Sequence, residues 1–111
     1  MGVSPVPRRG DVFVVALEPT VGSEIRKTRP CLIVSPDDLN LHLQTVIVAP
    51  LTTGGYSYPF RVACRFQKRD GFVVLDQLRT VDAQRLVRRL GRLSSKALSA
   101  SLGTLREMFT E

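Results

Sequence analysis

The stretch Thr45-Val46-Ile47-Val48-Ala49-Pro50-Leu51, followed by Thr52-Thr53-Gly54-Gly55-Tyr56, decides the fold. It opens on four β-branched residues in a row, which lose side-chain freedom in a helix and pack well on a pleated sheet. It is strand-length and ends in a glycine pair that breaks regular structure. Working outward, runs of the same kind lie at Arg29–Ser35 and Asp11–Leu17 before it, and at Phe60–Phe66 and Phe72–Thr80 after it. Breakers separate them: Glu18-Pro19-Thr20-Val21-Gly22, Ser35-Pro36-Asp37-Asp38, the Thr53–Tyr56 stretch, and Lys68-Arg69-Asp70-Gly71. Asp37–Leu41 reads as a short helical turn after Pro36. With no helix between most strands, the pattern predicts an antiparallel sheet strongly curled into a small barrel, a mainly β (α+β) fold.

The C-terminal part changes period. Ser94 or Ser95 can cap a helix. Leu98, Leu102, Leu105 and Phe109 then recur at helical spacing, flanked by Ala97 and Met108, so an amphipathic helix ending near Thr110 is expected against the sheet. Gly103 weakens that helix by about 1 kcal/mol relative to alanine, so packing must hold it. Asp82–Leu93 reads as a helical turn around Ala83–Leu86 followed by a short strand over Arg88–Leu93, with helix throughout as the alternative.

The 111 residues make a single domain, 1–111, with no room for a cofactor domain. Residues 1–7 read as a flexible, proline-punctuated lead-in without the apolar stretch of a secretory signal. No apolar run approaches the ~20 residues that span a bilayer. Cys31 and Cys64 form no CxxC pair and read as small apolar side chains in a reducing compartment, so a cytoplasmic protein is expected. Sixteen Lys and Arg against ten Asp and Glu give a net charge of +6. Most of that charge is arginine, suited to phosphate, so the charge fits an acidic partner, most commonly a nucleic acid, and fits bare solubility equally well.

Several chemistries are excluded. His42 is the only histidine, so a two-histidine ribonuclease cannot be built in one chain. Two cysteines and one histidine cannot make a structural zinc site. There is no P-loop, GxGxxG, HExxH or GxSxG, and the aspartates lack metal-site spacing. No metal and no cofactor are expected. An enzyme here must use Arg, Thr, Ser, Asp, Glu and backbone donors, which suit electrostatic stabilisation of phosphoryl transfer.

Three ordered motifs then carry a resemblance. The first is Arg9-Gly10-Asp11-Val12-Phe13 with Pro19–Glu24 and Thr28-Arg29-Pro30-Cys31-Leu32-Ile33-Val34-Ser35. The second is Thr45–Thr53, and the third is Val74-Leu75-Asp76-Gln77-Leu78-Arg79-Thr80-Val81-Asp82. Together they resemble the MazF/PemK (Kid) toxins of type II toxin–antitoxin systems over about residues 8–109. The resemblance implies an SH3-like small barrel with a C-terminal helix, also the fold of the CcdB toxin, and an active homodimer. It implies a sequence-specific endoribonuclease that cuts single-stranded messenger RNA without metal, by attack of the 2′-OH on the adjacent phosphorus. The products would be a 2′,3′-cyclic phosphate or 3′-phosphate and a 5′-OH, and growth would arrest. Implied partners are a cognate acidic antitoxin, and operator DNA only as the toxin–antitoxin complex.

By the same resemblance, Arg29 of the Thr-Arg-Pro motif and Thr52 are the catalytic residues. Asp76, Thr53 and Glu24 are candidates for catalysis or phosphate binding. Thr28 is a candidate for RNA contact, and Gln77 and Arg79 for RNA or dimer contacts; Tyr56 and Tyr58, which follow the two threonines, are candidates for RNA contact by stacking on bases if their rings are exposed. Kid-type enzymes carry an arginine two residues before the aspartate, where this chain has Val74. In one regular strand Asp76 and Arg79 would face opposite sides unless a bulge intervenes. The arginines 85, 88, 89 and 92, with Arg61, Arg65, Lys68 and Arg69, can hold RNA backbone or an antitoxin tail, or form a solvated surface. Two other classes stay open: a CcdB-like, gyrase-binding poison, and an RNA-binding module that does not cut.

Overall fold

The strand Thr45–Thr53 (β3) pairs with three others, and the sheet is organised around it. The structure, a computed structural model, describes residues 6–25 and 27–111. Of the expected lead-in, residues 1–5 lie outside the described residues, while Pro7 is already buried. The chain runs β1 (Asp11–Ala16), β2 (Thr28–Ile33), α1 (Asp37–His42), β3, β4 (Arg61–Phe66), β5 (Arg69–Val74), β6 (Arg79–Asp82), β7 (Leu86–Arg92) and α2 (Ser95–Met108). All pairings are antiparallel, in the order β4-β5-β3-β2-β1-β7, with β6 added to β3.

The sequence suggested one strand over Phe72–Thr80; the structure breaks it in two. Leu51 pairs with Val73 and Val48 with Arg79, so Val74–Leu78 stand opposite only Ala49 and Pro50. Pro50 has no N–H to give a ladder. The surplus residues leave the sheet there as a 3-10 turn, Leu75–Gln77.

The β4–β5 hairpin also turns earlier than the Lys68–Gly71 breaker suggested. Gln67 and Lys68 both have positive φ (50° and 66°), the geometry of a tight two-residue hairpin. Gly71 therefore lies inside β5, opposite Thr53. A Cβ there would fall 1.7 Å from the Thr52 carbonyl oxygen, so only glycine lets β5 close on the end of β3.

The sheet has a core on each face. On one, Val12, Leu32, Val34, Ala49, Leu51, Val73 and Leu75 are buried under α2, through Ala97, Leu98, Leu105 and Met108. On the other, Phe13, Val15, Leu17, Cys31, Ile33, Val46, Val48, Val81 and Leu86 form a second cluster. Curling covers that second cluster. β6 and β7 are four strand spacings apart in the pairing order, about 19 Å if flat. Only Ala83–Arg85 joins them, and four steps of chain reach about 14 Å at most. The sheet bends to fit but does not close, since no ladder joins β6 to β7.

Helix α2 starts where expected, with the Ser94 hydroxyl accepting from the Ala97 amide at 3.2 Å. Its buried line differs slightly from the leucine stripe. Ala97 and Ser101 are the most covered, Ser101 donating to the Ala97 carbonyl at 2.8 Å. Phe109, expected in the stripe, follows the last turn and is 73% exposed. Cys31 is buried, which pushes its thiol up to about 12; burial also raises half-buried Cys64. Among the described residues no helix is long and apolar enough to cross a membrane.

Two glycines should respond oppositely to alanine. Gly71→Ala should destabilise by about 1–3 kcal/mol, because the new methyl meets backbone. Gly103→Ala should stabilise by about 0.5–1 kcal/mol, because its nearest neighbour would be a flexible Arg106 nitrogen at 3.6 Å. Urea denaturation measures both; equal midpoints for the two variants would contradict the close approach at Thr52.

Candidate functional site

Alternation along the strands sorts the candidate residues by face. Paired residues in an antiparallel ladder point to the same side. β2 and β3 pair as Ile33 with Val48 and Cys31 with Pro50. That ladder ends at Cys31–Pro50; by alternation beyond it Arg29, which pairs with Val15, and Thr52, next to Leu51, both fall on the face away from α2. Arg29 is exposed and Thr52 half-buried. Among the described residues neither side chain has a hydrogen-bond or ionic partner, so a cation and a hydroxyl stand open on one face. The neighbouring residues Thr28 and Thr53 fall by the same alternation on the opposite side. Thr53 shares a pocket of about 280 Å³ with Leu51, Cys64 and Phe66 there, although Thr52 also reaches its wall.

Two residues back from Thr52 on the same face, about 7 Å along the strand, Pro50 forms the floor of a cleft. The cleft, about 190 Å³, is lined by Leu17, Glu24, Ile25, Pro50, Asp76, Gln77, Leu78 and Arg79. It brings together four sequence candidates: Glu24, Asp76, Gln77 and Arg79. The 3-10 turn makes this possible by carrying Asp76 and Gln77 out of the sheet beside Arg79.

Each of the four has a partner. Gln77 accepts from the Ile25 amide at 2.7 Å and pins the β1–β2 loop to the turn. Arg79 donates to the Leu17 carbonyl at 3.2 Å. Glu24 accepts from the Val21 amide, closing its own turn. Asp76 accepts two bonds from Arg61, Nε at 2.9 Å and Nη2 at 3.0 Å. The Arg61 guanidinium holds the Asp76 carboxyl below the usual carboxylate range, against a smaller opposing effect of burial. Asp76 is thus a charged, acceptor-only group over most of the pH range and a weak base.

Arg61 was grouped in sequence with the surface arginines, and its place here was missed. It pairs with Val74 across β4–β5. It therefore supplies, from the next strand, a guanidinium beside Asp76 where the sequence has valine two residues before the aspartate. Tyr58 lies against it, with the Arg61 Cζ 5.0 Å from the ring centroid. Tyr56, 79% exposed, has no ring contact among the described residues.

Part of the expected arginine cluster is tied down, while Lys68, Arg69 and Arg88 are exposed. Arg89 and Arg92 bind buried Asp11 at 3.2 and 2.9 Å. Arg65 pairs with Asp70 at 2.9 Å, and Arg85 donates to the Ala16 and Glu18 carbonyls. These side chains hold strands and loops together. Among the described residues no group of three or more His, Cys, Asp or Glu is arranged to hold a metal ion.

The chain matches the model of the PemK-like, MazF-like toxins of type II toxin–antitoxin systems over residues 8–109. It belongs to that family. Among relatives of this PemK/MazF chain, the "Endoribonuclease MazF" of Staphylococcus epidermidis is 38% identical over 109 residues, covering 86% of this chain and 91% of that protein. The "Endoribonuclease toxin MazF" of Escherichia coli K12 is 37% identical over 76 residues, 68% of each. The crystal structure of MazF from Deinococcus radiodurans superposes with a TM-score of 0.82 at 26% identity, covering 93% of this chain and 96% of that one. An endoribonuclease in complex with its cognate antitoxin, from a mycobacterial species, gives 0.76 at 26% identity, covering 91% and 92%. The open sheet with its C-terminal helix is therefore the fold of MazF structures.

The Arg61–Asp76 pair has a testable consequence. The Asp76 carboxyl should titrate below the ordinary carboxylate range, and Arg61→Gln should raise it towards that range. The pairing contributes stability above the ordinary carboxylate pKa and loses it as pH falls through the lowered value. Exposure of the Asp76 side chain (42%) keeps that contribution small. Carbon-detected NMR of the aspartates against pH measures the shift; an Asp76 value unmoved by Arg61→Gln would contradict it.

Proposed function

We propose that this PemK/MazF toxin is an endoribonuclease that cuts single-stranded RNA without metal, using Arg29 and Thr52 at the catalytic centre. The observation that carries the reading is that an arginine and a threonine, neither with a side-chain partner among the described residues, fall on one sheet face. They stand beside an arginine-edged cleft in a chain whose relatives are named endoribonucleases.

The chemistry asks little of the protein. The 2′-oxygen attacks the adjacent phosphorus, the O2′–P bond forms and the P–O5′ bond breaks. The 2′-OH gives up its proton and the departing 5′-oxygen gains one, leaving a 2′,3′-cyclic phosphate, or a 3′-phosphate after hydrolysis, and a 5′-OH. Attacking and leaving oxygens must lie in line, which a single strand can adopt and a stacked duplex resists. Arg29 meets the charge that builds on the non-bridging oxygens with a fixed cation. With a pKa above ~12 it stabilises charge rather than donating its proton. Thr52 donates a hydrogen bond to the same phosphate.

The cleft residues then act as neighbours. Arg79 and Gln77 face the chain next to the cut; Glu24, by its loop, and Thr53 and Thr28, on the other rim, contact flanking phosphates or sugars. Specificity for a short sequence comes from the loops at residues 22–28 and 53–59. The active unit is a cytoplasmic homodimer, and a cognate acidic antitoxin silences it by covering this basic face. DNA, as an operator, is bound only by the toxin–antitoxin complex. The open charge of Arg29 favours this over a gyrase-binding poison, which does not require it, and Thr52 on the same face favours it over a module that binds without cutting.

Arg29→Ala should lower the rate of RNA cleavage by about 10²–10³-fold, the usual loss when one transition-state donor is removed. Its melting temperature should hardly move, because the side chain is exposed. Thr52→Val should lose less and also stay folded. Cleavage of a labelled single-stranded RNA in excess chelator, with thermal melts alongside, measures both; wild-type cutting by Arg29→Ala would refute the site.

A further inference from the structure

We propose that Tyr58, Arg61 and Asp76 form a preassembled platform on which one unpaired base of the RNA stacks. The inference rests on the RNA-binding part of the reading above and names a contact that reading leaves open.

The platform is built from the inside out. The two parallel bonds from Arg61 to Asp76, 2.9 and 3.0 Å, fix the plane of the guanidinium. The guanidinium Cζ lies 5.0 Å from the Tyr58 ring centre, so the ring lies against a held cation. The Arg61 amide donates to the Tyr58 carbonyl at 3.2 Å, which closes the turn joining them. The Arg61 side chain is only 26% exposed, whereas Tyr58 is 53% exposed. The ring is therefore supported from the protein side and open on the solvent side.

An exposed ion pair contributes little to folding, so folding alone does not account for three side chains held in contact in sequence. A ring already ordered loses less rotamer freedom when a base lands on it. Any base has a π-face, and single-stranded RNA offers unstacked ones. Arg61 projects to the same sheet face as Thr52 through the pairings Arg61–Val74, Ala63–Phe72 and Thr52–Phe72. The stacked base would thus lie on the same face as the phosphate that Thr52 and Arg29 would hold, two strands away from Thr52. Asp76 neutralises Arg61, so the unit offers stacking area rather than net charge, unlike a phosphate contact. Asp76 is then a positioning residue, acting through Arg61 on Tyr58.

The test is an abasic scan. Fluorescence anisotropy follows the full-length chain binding the tightest of a panel of unstructured 2′-O-methyl RNA oligomers, which cannot be cut. Each base is removed in turn. In the wild type, loss of one particular base should weaken binding roughly tenfold. Tyr58→Ala should show that loss on the intact oligomer and no further penalty at that position, while Tyr58→Phe behaves as wild type. Arg61→Ala and Asp76→Asn should lose part of the same position's penalty, with the slope of affinity against salt unchanged. Arg61→Lys, which keeps charge but not the fork, should not rescue. A flat abasic profile in the wild type, the wild-type profile in Tyr58→Ala, or a shallower salt slope in Arg61→Ala would each overturn the platform. Failure to bind any oligomer overturns both readings. The expected profile in a chain that cuts no RNA overturns the nuclease reading alone.

Discussion

Pro50 interrupts one edge of β3, and the geometry of the candidate site follows from that interruption. Upstream of it β3 pairs with β6, downstream with β5. The chain between those two strands is too long for the gap and lacks an N–H partner there, so it stands out as a turn carrying Asp76 and Gln77. The loop after β1 then docks on Gln77, and the cleft is what remains between loop, turn and proline. A continuous strand at this place would send Asp76 and Arg79 to opposite faces and leave no cleft. Gly71 completes the arrangement by letting β5 approach the carbonyl of Thr52, which fixes the end of β3 that bears the open hydroxyl.

Charge is partitioned rather than pooled. The chain is strongly basic, yet most arginines in the contacts above are tied to carboxylates or carbonyls. Asp11, 4% exposed, takes Arg89 and Arg92 and joins β7 to the start of β1. Arg79 and Arg85 hold the end of β1 through its carbonyls. Arg29 differs from these because its guanidinium has no partner among the described residues. Net charge attracts a polyanion, but local bookkeeping of partners decides where a phosphate is met.

Much of the fold was legible in the sequence because β-branched runs and helix caps are local signals. The strands of β1 to β4, the α1 turn, the Asp82–Leu93 split and the Ser94 cap all lie close to their expected places. What stayed hidden depends on partners distant in sequence. Nothing local in Phe72–Thr80 announces a break, because its cause is Pro50 on another strand. The role of Arg61 was hidden for the same reason. Placing the hairpin turn at Lys68–Gly71 sets a register that does not bring Arg61 opposite Val74, and the true turn uses Gln67 and Lys68 in a conformation glycine more often supplies. Arg29 and Thr52 came from motif resemblance; strand alternation puts them on one face, and it also sends Thr28 and Thr53, their neighbours in the motif, to the other side.

The central claim is that this face of the sheet severs RNA through the substrate's own 2′-oxygen. Its most direct test is a pair of single-stranded RNAs with the same mapped cut, one carrying a single 2′-deoxynucleotide immediately 5′ to it, incubated with the wild-type chain in excess chelator. The account predicts that the all-ribose strand is cut to a cyclic or 3′-phosphate end and a 5′-OH, while the singly deoxy strand stays whole at that position. Cutting of both strands alike, or of neither, would contradict it.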